Sequence, residues 1–358
     1  MELHENKSNP VSPPATKIVQ AFGLRKCPKL VEQLAGQDVD VRTNVLGVLC
    51  EEFNNPFTIQ GCAQAGIVRV LSSMVSDPDF VTRERSSKAL ALLAQDANGL
   101  AALLHDEAVV EILNGIKDPA EVVRCNVYDC IHSITRTRAG VEACVIAGVA
   151  SSFVEVAKRE VDVLKPRLLM ALHNMAASPD GLVQALNASA VEVCIGLLRE
   201  EGSGTETKTH AAKTLGFLCF DEEAKIAALE AGAVAVLLSL CTAATPDSVK
   251  TSVTLALMAI TSTDEGKREM NSPDHVKEIC RMVLEGDKTL RLNALKVVTN
   301  IAVFPPLRPL LLEDIPFLQA LKKMSAGIGS SSSGGGGEGA ALLQKHATLA
   351  LAAVNWTP

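Results

Sequence analysis

The residues of this chain whose types could support chemistry are its cysteines, its histidines and a few glycine-containing motifs. The sequence GGGGEG at 334–339 satisfies the GxGxxG pattern of dinucleotide-binding loops. It follows a serine run rather than a strand, and no alternation of strands and helices surrounds it. Gly266-Lys267 lacks the upstream glycine of a phosphate-binding loop, and GSG at 202–204 has no strand before it. These motifs therefore predict loops and turns rather than catalytic or nucleotide-binding sites.

The ten cysteines and seven histidines do not form a metal-binding pattern. There is no CxxC, and no two histidines stand in an HExxH arrangement or four residues apart. Most of the cysteines, such as Cys130, Cys194 and Cys219, lie within apolar helical runs, which is typical of buried, reduced thiols in a cytosolic protein. We therefore expect no metal, no cofactor, no small-molecule substrate and no catalytic residue, so the chain is predicted not to be an enzyme.

Composition and charge limit the class of protein further. Hydrophobic residues make up 47% of the 358 residues and aromatic residues only 3%, so Ala, Leu and Val must form most of the core, as suits closely stacked helices. The net charge of -7 disfavours a nucleic-acid-binding protein. The polar start MELHENKSNPVSPPATK and the absence of any run of eighteen apolar residues predict no signal peptide and no membrane span. We expect an intracellular, cytoplasmic protein.

An internal repeat of about 41 residues organises the chain. One ladder of residues opens the shorter helix of each repeat at intervals of 41 to 43: Val68, Val109, Ala150, Val191, Val234, Val276 and Phe317. A second ladder of basic residues starts the longer helix at intervals of 39 to 43: Arg42, Arg85, Arg124, Arg167, Lys208, Lys250 and Arg291. Two independent ladders with the same period indicate a repeat architecture.

The local pattern predicts helices in every repeat. Apolar residues four, seven and ten positions after the basic residue, such as Tyr128, Ile131 and Ile134, form one buried helical stripe. Glycines at the Ala65-Gly66 and Ala231-Gly232 junctions mark the end of one helix and the start of the next. A short extra helix before these junctions favours three helices per repeat, as in armadillo proteins. The predicted fold is all-α: an armadillo-type right-handed α-solenoid of about eight repeats.

The expected boundaries follow from the repeat frame. Residues 1–24 form a polar N-terminal tail, residues 25–314 form seven armadillo-like repeats, and residues 315–358 form an atypical C-terminal capping repeat. The segment SAGIGSSSSGGGGEG at 325–339 is expected to be a flexible Gly/Ser loop within the capping repeat. The alternative is that it links the array to a separate tail helix.

The basic ladder has two interpretations. A basic residue at the start of each long helix can satisfy carbonyl and acidic groups of the preceding repeat, which is a structural role. Alternatively, the ladder forms a continuous strip that binds anions. We favour the structural role.

The longer helices are expected to line the concave face that solenoids use for binding. Positions five and nine after the basic residue should face this groove. Position five reads Gly47, Leu90, Asp129, Leu172, Lys213, Leu255, Lys296 and Ala350. Position nine reads Glu51, Ala94, Ser133, Ala176, Phe217, Ala259, Asn300 and Val354. Without the Trp and Asn ladders of nuclear import receptors, the groove is predicted to bind a helix or extended segment of another protein through Glu51, Asp129, Ser133, Lys213, Phe217, Lys296 and Asn300.

Four stretches of the sequence resemble a known family. PPATKIVQAFGLRKCPKLVEQL (13–34), LLHDEAVVEILNGIKDP (103–119), TLRLNALKVVTNIA (289–302) and the closing AAVNWTP resemble the armadillo-repeat subunits of ciliary and flagellar radial spokes. The stretches are individually loose, but they occur in the same order along nearly the whole chain. The Gly/Ser segment at 325–339 departs from the family pattern.

The resemblance implies a non-enzymatic scaffold subunit of the axonemal radial spoke, the complex between the outer doublets and the central pair. It implies that the partners are other radial spoke proteins, that the location is the axoneme of a cilium or flagellum, and that the role is to support regulation of motility. The alternative is a cytosolic armadillo adaptor or cargo-binding protein unrelated to cilia.

Overall fold

The computed structural model of the protein describes residues 23–36, 38–327 and 337–356, and within these ranges every regular element is helical. Three helices recur in the same order: a short first helix, a short second helix and a long third helix. The chain divides into two compact units, an N-terminal unit (Met1–Val149) and a C-terminal unit (Ala150–Pro358). The fold class predicted from the repeat period, an armadillo-type α-solenoid, is confirmed.

The N-terminal unit contains three long helices, each preceded by shorter ones. Its helices are, in chain order, α1 (Lys26–Leu34), α2 (Val39–Glu52), α3 (Pro56–Gln64), α4 (Ile67–Ser73), α5 (Phe80–Gln95), α6 (Ala97–His105), α7 (Val109–Ile112), α8 (Glu121–Ile134) and α9 (Arg138–Ile146). Short 3-10 turns lie at Gly23–Arg25, Met74–Ser76 and Leu113–Lys117. The long helices are α2, α5 and α8.

The C-terminal unit continues the same order. Its helices are α10 (Val149–Ala157), α11 (Lys165–Met175), α12 (Pro179–Asn187), α13 (Ala190–Arg199), α14 (Thr205–Leu218), α15 (Glu222–Glu230), α16 (Ala233–Ser239), α17 (Asp247–Ile260), α18 (Asp264–Glu269), α19 (Pro273–Glu285), α20 (Lys288–Ala302), α21 (Arg308–Glu313), α22 (Ile315–Ser325) and α23 (Gly337–Val354). A 3-10 turn at Pro305–Leu307 leads into α21. The long helices are α11, α14, α17, α20 and α23.

A polar residue caps the start of six of the first helices, from α3 to α18. Its side-chain oxygen accepts a hydrogen bond from a backbone N–H two or three residues further on, which satisfies a donor that the helix leaves free. These N-caps are Asn55, Asp96, Thr137, Ser178, Asp221 and Thr263. They recur at the repeat period and fix where each of these helices begins.

The junction between the first and second helices adopts the left-handed backbone region. Gly66, Gly148 and Gly232 have φ values of 81°, 73° and 70°, as the Ala-Gly junctions predicted. Glu107 (φ 53°) and Ser189 (φ 64°) occupy the equivalent α6–α7 and α12–α13 junctions. The turn geometry is therefore kept even where glycine is absent.

The core is formed by the predicted apolar ladders. All seven residues of the ladder from Val68 to Phe317 are buried. On the long helices the stripes Tyr128, Ile131, Ile134 and their equivalents in α20 are also fully buried. Burial of such side chains between neighbouring helices is the main stabilising contribution in a repeat array.

Two predicted segments lie largely outside the described residues. These are residues 1–22 of the expected N-terminal tail and residues 328–336 of the expected Gly/Ser loop. At the ends of that loop, α22 includes Ser325 and α23 begins at Gly337, so helix extends into both ends of the 325–339 segment. The Ser325 hydroxyl donates a hydrogen bond to the Lys322 carbonyl at 2.9 Å, which is how it is accommodated in the last helical turn.

Candidate protein-binding surface

The long helices share a register that their start points define. The fourth residue of the long helix is basic in six of the seven repeats up to α20: Arg42, Arg83, Arg124, Lys208, Lys250 and Arg291. In α5 this position belongs to Arg83, so the predicted ladder residue Arg85 lies two residues further along. In α11 the fourth residue is Leu168, one residue after the predicted Arg167. The Asp79 side chain, which accepts a hydrogen bond from the Thr82 amide, sets the start of α5 and hence this register.

Two of the basic residues join neighbouring repeats through carboxylates. Arg42 forms an ion pair with Asp77 at 3.3 Å, and Arg83 forms one with Asp118 at 2.6 Å. Both carboxylates lie in the turn before the following long helix, whereas the sequence predicted partners in the preceding repeat. Arg83 also donates to the carbonyl of Asp77 at 3.0 Å. These arginines connect one inter-helix turn to the next.

The other basic residues mostly bind carbonyls of their own repeat. Arg124 donates to the Asp118 carbonyl at 2.8 Å, Arg167 to Val163 at 3.1 Å and Arg291 to Val283 at 2.9 Å. Lys250 contacts Asp247 at 3.5 Å, and Lys208 is partly exposed. Arg85 alone reaches the preceding long helix, where it donates to the Thr43 carbonyl at 2.5 Å. Because these arginine side chains donate hydrogen bonds within the protein, they favour the structural role of the basic ladder over an anion-binding strip.

The predicted groove residues lie on the solvent-facing side of the long helices. Glu51 is exposed, and the other six are half-buried: Asp129, Ser133, Lys213, Phe217, Lys296 and Asn300. In α5 and α11 the predicted groove residues Leu90 and Leu172 are buried. The residues that occupy the equivalent ninth positions of these helices are Lys88 and His173, and both are accessible. We call the accessible residues at the ninth and thirteenth positions of the long helices the long-helix stripe. Its members in the N-terminal unit are Gly47, Glu51, Lys88, Leu92, Asp129 and Ser133, and its members in the C-terminal unit are His173, Lys213, Phe217, Leu255, Lys296, Asn300, Lys345 and Leu349.

Aromatic rings meet on the stripe of the C-terminal unit. The His173 ring lies edge-on to Phe217 with ring centroids 4.0 Å apart, and Phe217 contacts Phe220 at 5.6 Å. Phe220 is 58% exposed. Burial, followed by the charges of Lys213 and His210, lowers the pKa of His173 to about 4. The imidazole is therefore neutral at physiological pH and behaves as part of an apolar patch. The position pattern selected Leu172 rather than His173, because the ladder residue chosen in α11 was one position too early.

Asparagine side chains tie adjacent long helices together. The Asn300 amide donates to the Met258 carbonyl at 2.9 Å and to the Thr261 hydroxyl at 3.3 Å. Asn126 and Asn293 make equivalent bonds to carbonyls of Glu84 and Thr251. The amide protons of Asn300 are thus directed at the neighbouring helix rather than at a ligand.

The burial of the cysteine side chains disfavours the reactive thiolate form. Seven of the ten cysteines are buried and the other three are partly buried. Burial raises the pKa of Cys144, Cys194 and Cys219 to about 12, and since the thiolate is the reactive form, these thiols are poor nucleophiles at neutral pH.

The described residues contain neither a metal-binding cluster nor a single membrane-spanning helix. No group of three or more His, Cys, Asp or Glu side chains is arranged there to hold a metal ion. No single helix in the same ranges has the length and apolarity needed to cross a membrane, although three bent pairs of consecutive helices satisfy those two criteria together.

Comparison with known proteins finds curated relatives and many structural neighbours. The chain is 30% identical over 253 residues to Radial spoke protein 14 of Chlamydomonas reinhardtii, covering 66% of this chain and 64% of that protein. The chain thus spans slightly less than two thirds of the length of this relative. No protein-family model matches the chain.

The solved structures that resemble this one include engineered proteins and designed armadillo repeat proteins. A crystal structure of an engineered protein is 22% identical with a TM-score of 0.80, covering 93% of this chain and 79% of that chain. A designed armadillo repeat protein in complex with the peptide (KR)4 is 21% identical with a TM-score of 0.59, covering 66% of this chain and 99% of that one. At these identities the likeness concerns the fold. The chain is an armadillo-type α-solenoid whose sequence is similar to that of Radial spoke protein 14.

Proposed function

We propose that this protein is a non-enzymatic structural subunit of the axonemal radial spoke, which binds other radial spoke proteins and supports regulation of ciliary or flagellar motility. The observation that carries the proposal is the similarity to Radial spoke protein 14 over 253 residues. It follows that the protein acts in the cytoplasm on the cytoskeleton, within the axoneme of a cilium or flagellum.

The architecture supports a scaffold role. In a helical repeat array each repeat packs against its neighbours, so each of the two units presents a row of helices to other proteins. The neutral aromatic patch, the accessible lysines and the carboxylates of the stripe offer contacts to a polypeptide. The buried thiols and the engaged arginines offer no reactive group.

The binding surface that we propose is the long-helix stripe. Of the residues that the sequence selected, we propose that Glu51, Asp129, Ser133, Lys213, Phe217 and Lys296 contact a partner. Asn300 contributes to the packing of α20 against α17. The basic ladder is proposed to hold repeats and turns together rather than to bind ligands.

The proposal is tested by affinity purification of the tagged full-length chain from ciliated cells, followed by mass spectrometry. We expect other radial spoke proteins at stoichiometric levels, retained through a high-salt wash. A variant with two stripe lysines reversed, described below, shows whether the stripe contributes to their retention. Recovery of cytosolic proteins without spoke proteins would contradict the proposal and would favour an armadillo adaptor unrelated to cilia.

A further inference from the structure

The two units differ in where their long helices carry charge. In the C-terminal unit the only Asp or Glu residues within α11, α14, α17, α20 and α23 occur in the first turn: Glu206, Asp247 and Glu338. In the N-terminal unit the long helices carry carboxylates further along: Glu51, Glu52, Glu84 and Asp129. The body of the stripe is therefore free of carboxylates in the C-terminal unit and mixed in the N-terminal unit.

Two half-buried lysines of the C-terminal stripe have no acidic partner in the part of the chain that the structure describes. Lys213 and Lys296 are each the ninth residue of their helices, α14 and α20, and both are half-buried. Among the described residues neither forms an ion pair, whereas Lys165, Lys225 and Lys267 of the same unit each contact a carboxylate within 3.0 Å. A half-buried ammonium group without a counter-ion attracts a carboxylate from a partner.

The histidines beside these lysines report the same excess of positive charge. Burial, and then the charge of Lys213, lowers the pKa of His173. Burial, and then the charges of Lys296 and Lys345, lowers the pKa of His346 in α23. For neither ring does a carboxylate act in the opposite direction. By contrast, Asp129 partly offsets the lowering of the pKa of His132 in the N-terminal unit.

Apolar side chains lie between and beside the two lysines. Leu255 is the ninth residue of α17, the helix between α14 and α20, and it is half-buried together with Met258 one turn later. Phe217 on α14 and Phe220, two residues after the end of this helix, continue the apolar surface. Helices α14 and α17 pack closely, because a Cβ added to Gly216 would lie 3.1 Å from both the backbone of Ala256 and the side chain of Leu255. Lys213, Leu255 and Lys296 therefore form a basic–apolar–basic row at one level across three adjacent helices.

We infer that this row binds an extended polypeptide segment of a partner protein in which two carboxylates flank an apolar side chain. The inference rests on the proposed scaffold function and names the chemistry of one of its partners. Both carboxylates pair with the lysines, and the apolar side chain covers Leu255 and Met258.

The distance between Lys213 and Lys296 determines how far apart the two carboxylates of the partner segment should be. Adjacent packed helices lie about 8–10 Å apart, so Lys213 and Lys296 are separated by roughly 16–20 Å. An extended chain with three residues per turn and a rise of about 3.1 Å places every third side chain on one face, about 9 Å apart. The matching segment is Glu-X-X-Leu-X-X-Glu, or the same with Asp, or with another apolar residue in the centre.

The test uses the full-length protein and three fluorescent peptides, with binding measured by anisotropy at an ionic strength of about 0.1 M. The first peptide contains Glu-X-X-Leu-X-X-Glu, the second has Lys in place of both Glu residues, and the third has Ser in place of Leu. We expect only the first to bind well. The Lys213→Glu/Lys296→Glu variant should weaken that binding about tenfold or more, because attraction becomes repulsion at both ends.

A matched control variant tests whether the position of the two lysines, rather than the net charge of the protein, determines binding. Lys277 in α19 and Lys323 in α22 are exposed residues of short helices in the same unit, so Lys277→Glu/Lys323→Glu makes the same charge change elsewhere. This control variant should bind the first peptide with an affinity within about twofold of that of the parent protein, since exposed charges beyond a Debye length of about 10 Å are screened. If the Lys213→Glu/Lys296→Glu variant melts at a lower temperature, Lys213→Gln/Lys296→Gln takes its place.

The possible results are distinct. Equal losses in the two reversed variants, equal binding of the lysine peptide, or no binding of the acidic peptide would each overturn the inference. If the protein still co-purifies with spoke proteins in that case, the proposed function stands. If the acidic peptide binds as expected but no spoke protein is recovered from cells, the row is supported and the spoke assignment falls.

Discussion

His173 is a residue whose environment predicts a measurable dependence on pH. Its pKa of about 4 lies below the ordinary value of 6.5, because the ring packs against Phe217 and faces Lys213 and His210. As the pH falls from 6.5 towards 4, the unfolded chain takes up a proton that the folded protein refuses. The free energy of unfolding therefore decreases over this range and is unaffected by His173 above it.

The variant His173→Gln removes this titration. We expect its melting temperature to fall less between pH 7 and pH 5 than that of the parent protein. The pKa of His173, measured by NMR, should lie well below 6. A midpoint near 6.5 together with an unchanged pH profile would show that the ring is solvated rather than packed.

The sequence predicted the kind of residue on the stripe better than its register. The basic ladder was spaced correctly on average, but two arginines lie close together at Arg83 and Arg85, and periodicity alone did not distinguish them. The start of α5 does, because Asp79 caps it and places Arg83 fourth. The bonds from Asn300 to the neighbouring helix could not be predicted either, since they depend on the packing of α20 against α17.

At the scale of the helices, substitution by alanine should change the free energy of unfolding in opposite directions at two glycines that have similar space around them. A Cβ added to Gly232 or to Gly196 meets no atom within 4 Å, but Gly232 has a φ of 70° at the α15–α16 junction whereas Gly196 lies within α13. Gly232→Ala should destabilise the protein by about 1 kcal/mol, because an L-residue is disfavoured in the left-handed region. Gly196→Ala should stabilise it by about 0.5–1 kcal/mol, since alanine favours the helix. Denaturant unfolding gives both values, and changes of the same sign would contradict the assigned backbone geometry.

The N-cap of α15 offers a second test at this scale. Asp221 accepts hydrogen bonds from the amides of Glu223 at 2.9 Å and Ala224 at 3.3 Å. Asp221→Ala should lower the free energy of unfolding by about 1 kcal/mol, because these amides lose their acceptor. Asp221→Asn keeps a side-chain acceptor and should cost much less. A similar loss in both variants would mean that charge near the helix end, rather than the capping bond, stabilises α15.

The N-cap residues form a further sequence pattern from which the starts of the first helices could have been predicted. Asn, Asp, Thr and Ser recur at the repeat period from Asn55 to Thr263, which is a ladder as regular as the apolar one. The left-handed φ values at Glu107 and Ser189 were less accessible, because neither residue type signals that conformation as glycine does. They follow from the geometry that the neighbouring repeats share, so they become predictable only after the fold is known.

At the scale of the whole molecule, the repeat period was enough to predict the fold class. Each repeat buries its apolar face only against its neighbours, so the same pattern must recur along the chain and is visible in the sequence. The boundaries of the tail and the capping repeat remain proposals, because residues 1–22 and 328–336 lie outside the described ranges.

The Gly/Ser segment gives a prediction about the C-terminal repeat. Its composition contains no apolar side chain between Gly329 and Gly337, so it has little surface to bury on folding. The contact between α22 and α23 includes the bond from the Gln344 amide to the Ser325 carbonyl at 3.1 Å. Deleting residues 330–336 should leave thermal unfolding cooperative, with a similar midpoint, because loop length affects stability only weakly. A broad or much earlier transition would show that the segment packs against the array.

The most direct test of the spoke assignment is fractionation of ciliated or flagellated cells that express this protein at its natural level. Axonemes are extracted with high salt, and the complexes that sediment with the chain are identified by mass spectrometry. The account predicts that the chain stays with the axoneme and sediments in one large complex with other radial spoke proteins. A chain found only in the soluble cell-body fraction would contradict the account and leave an armadillo-type binding protein with a different role.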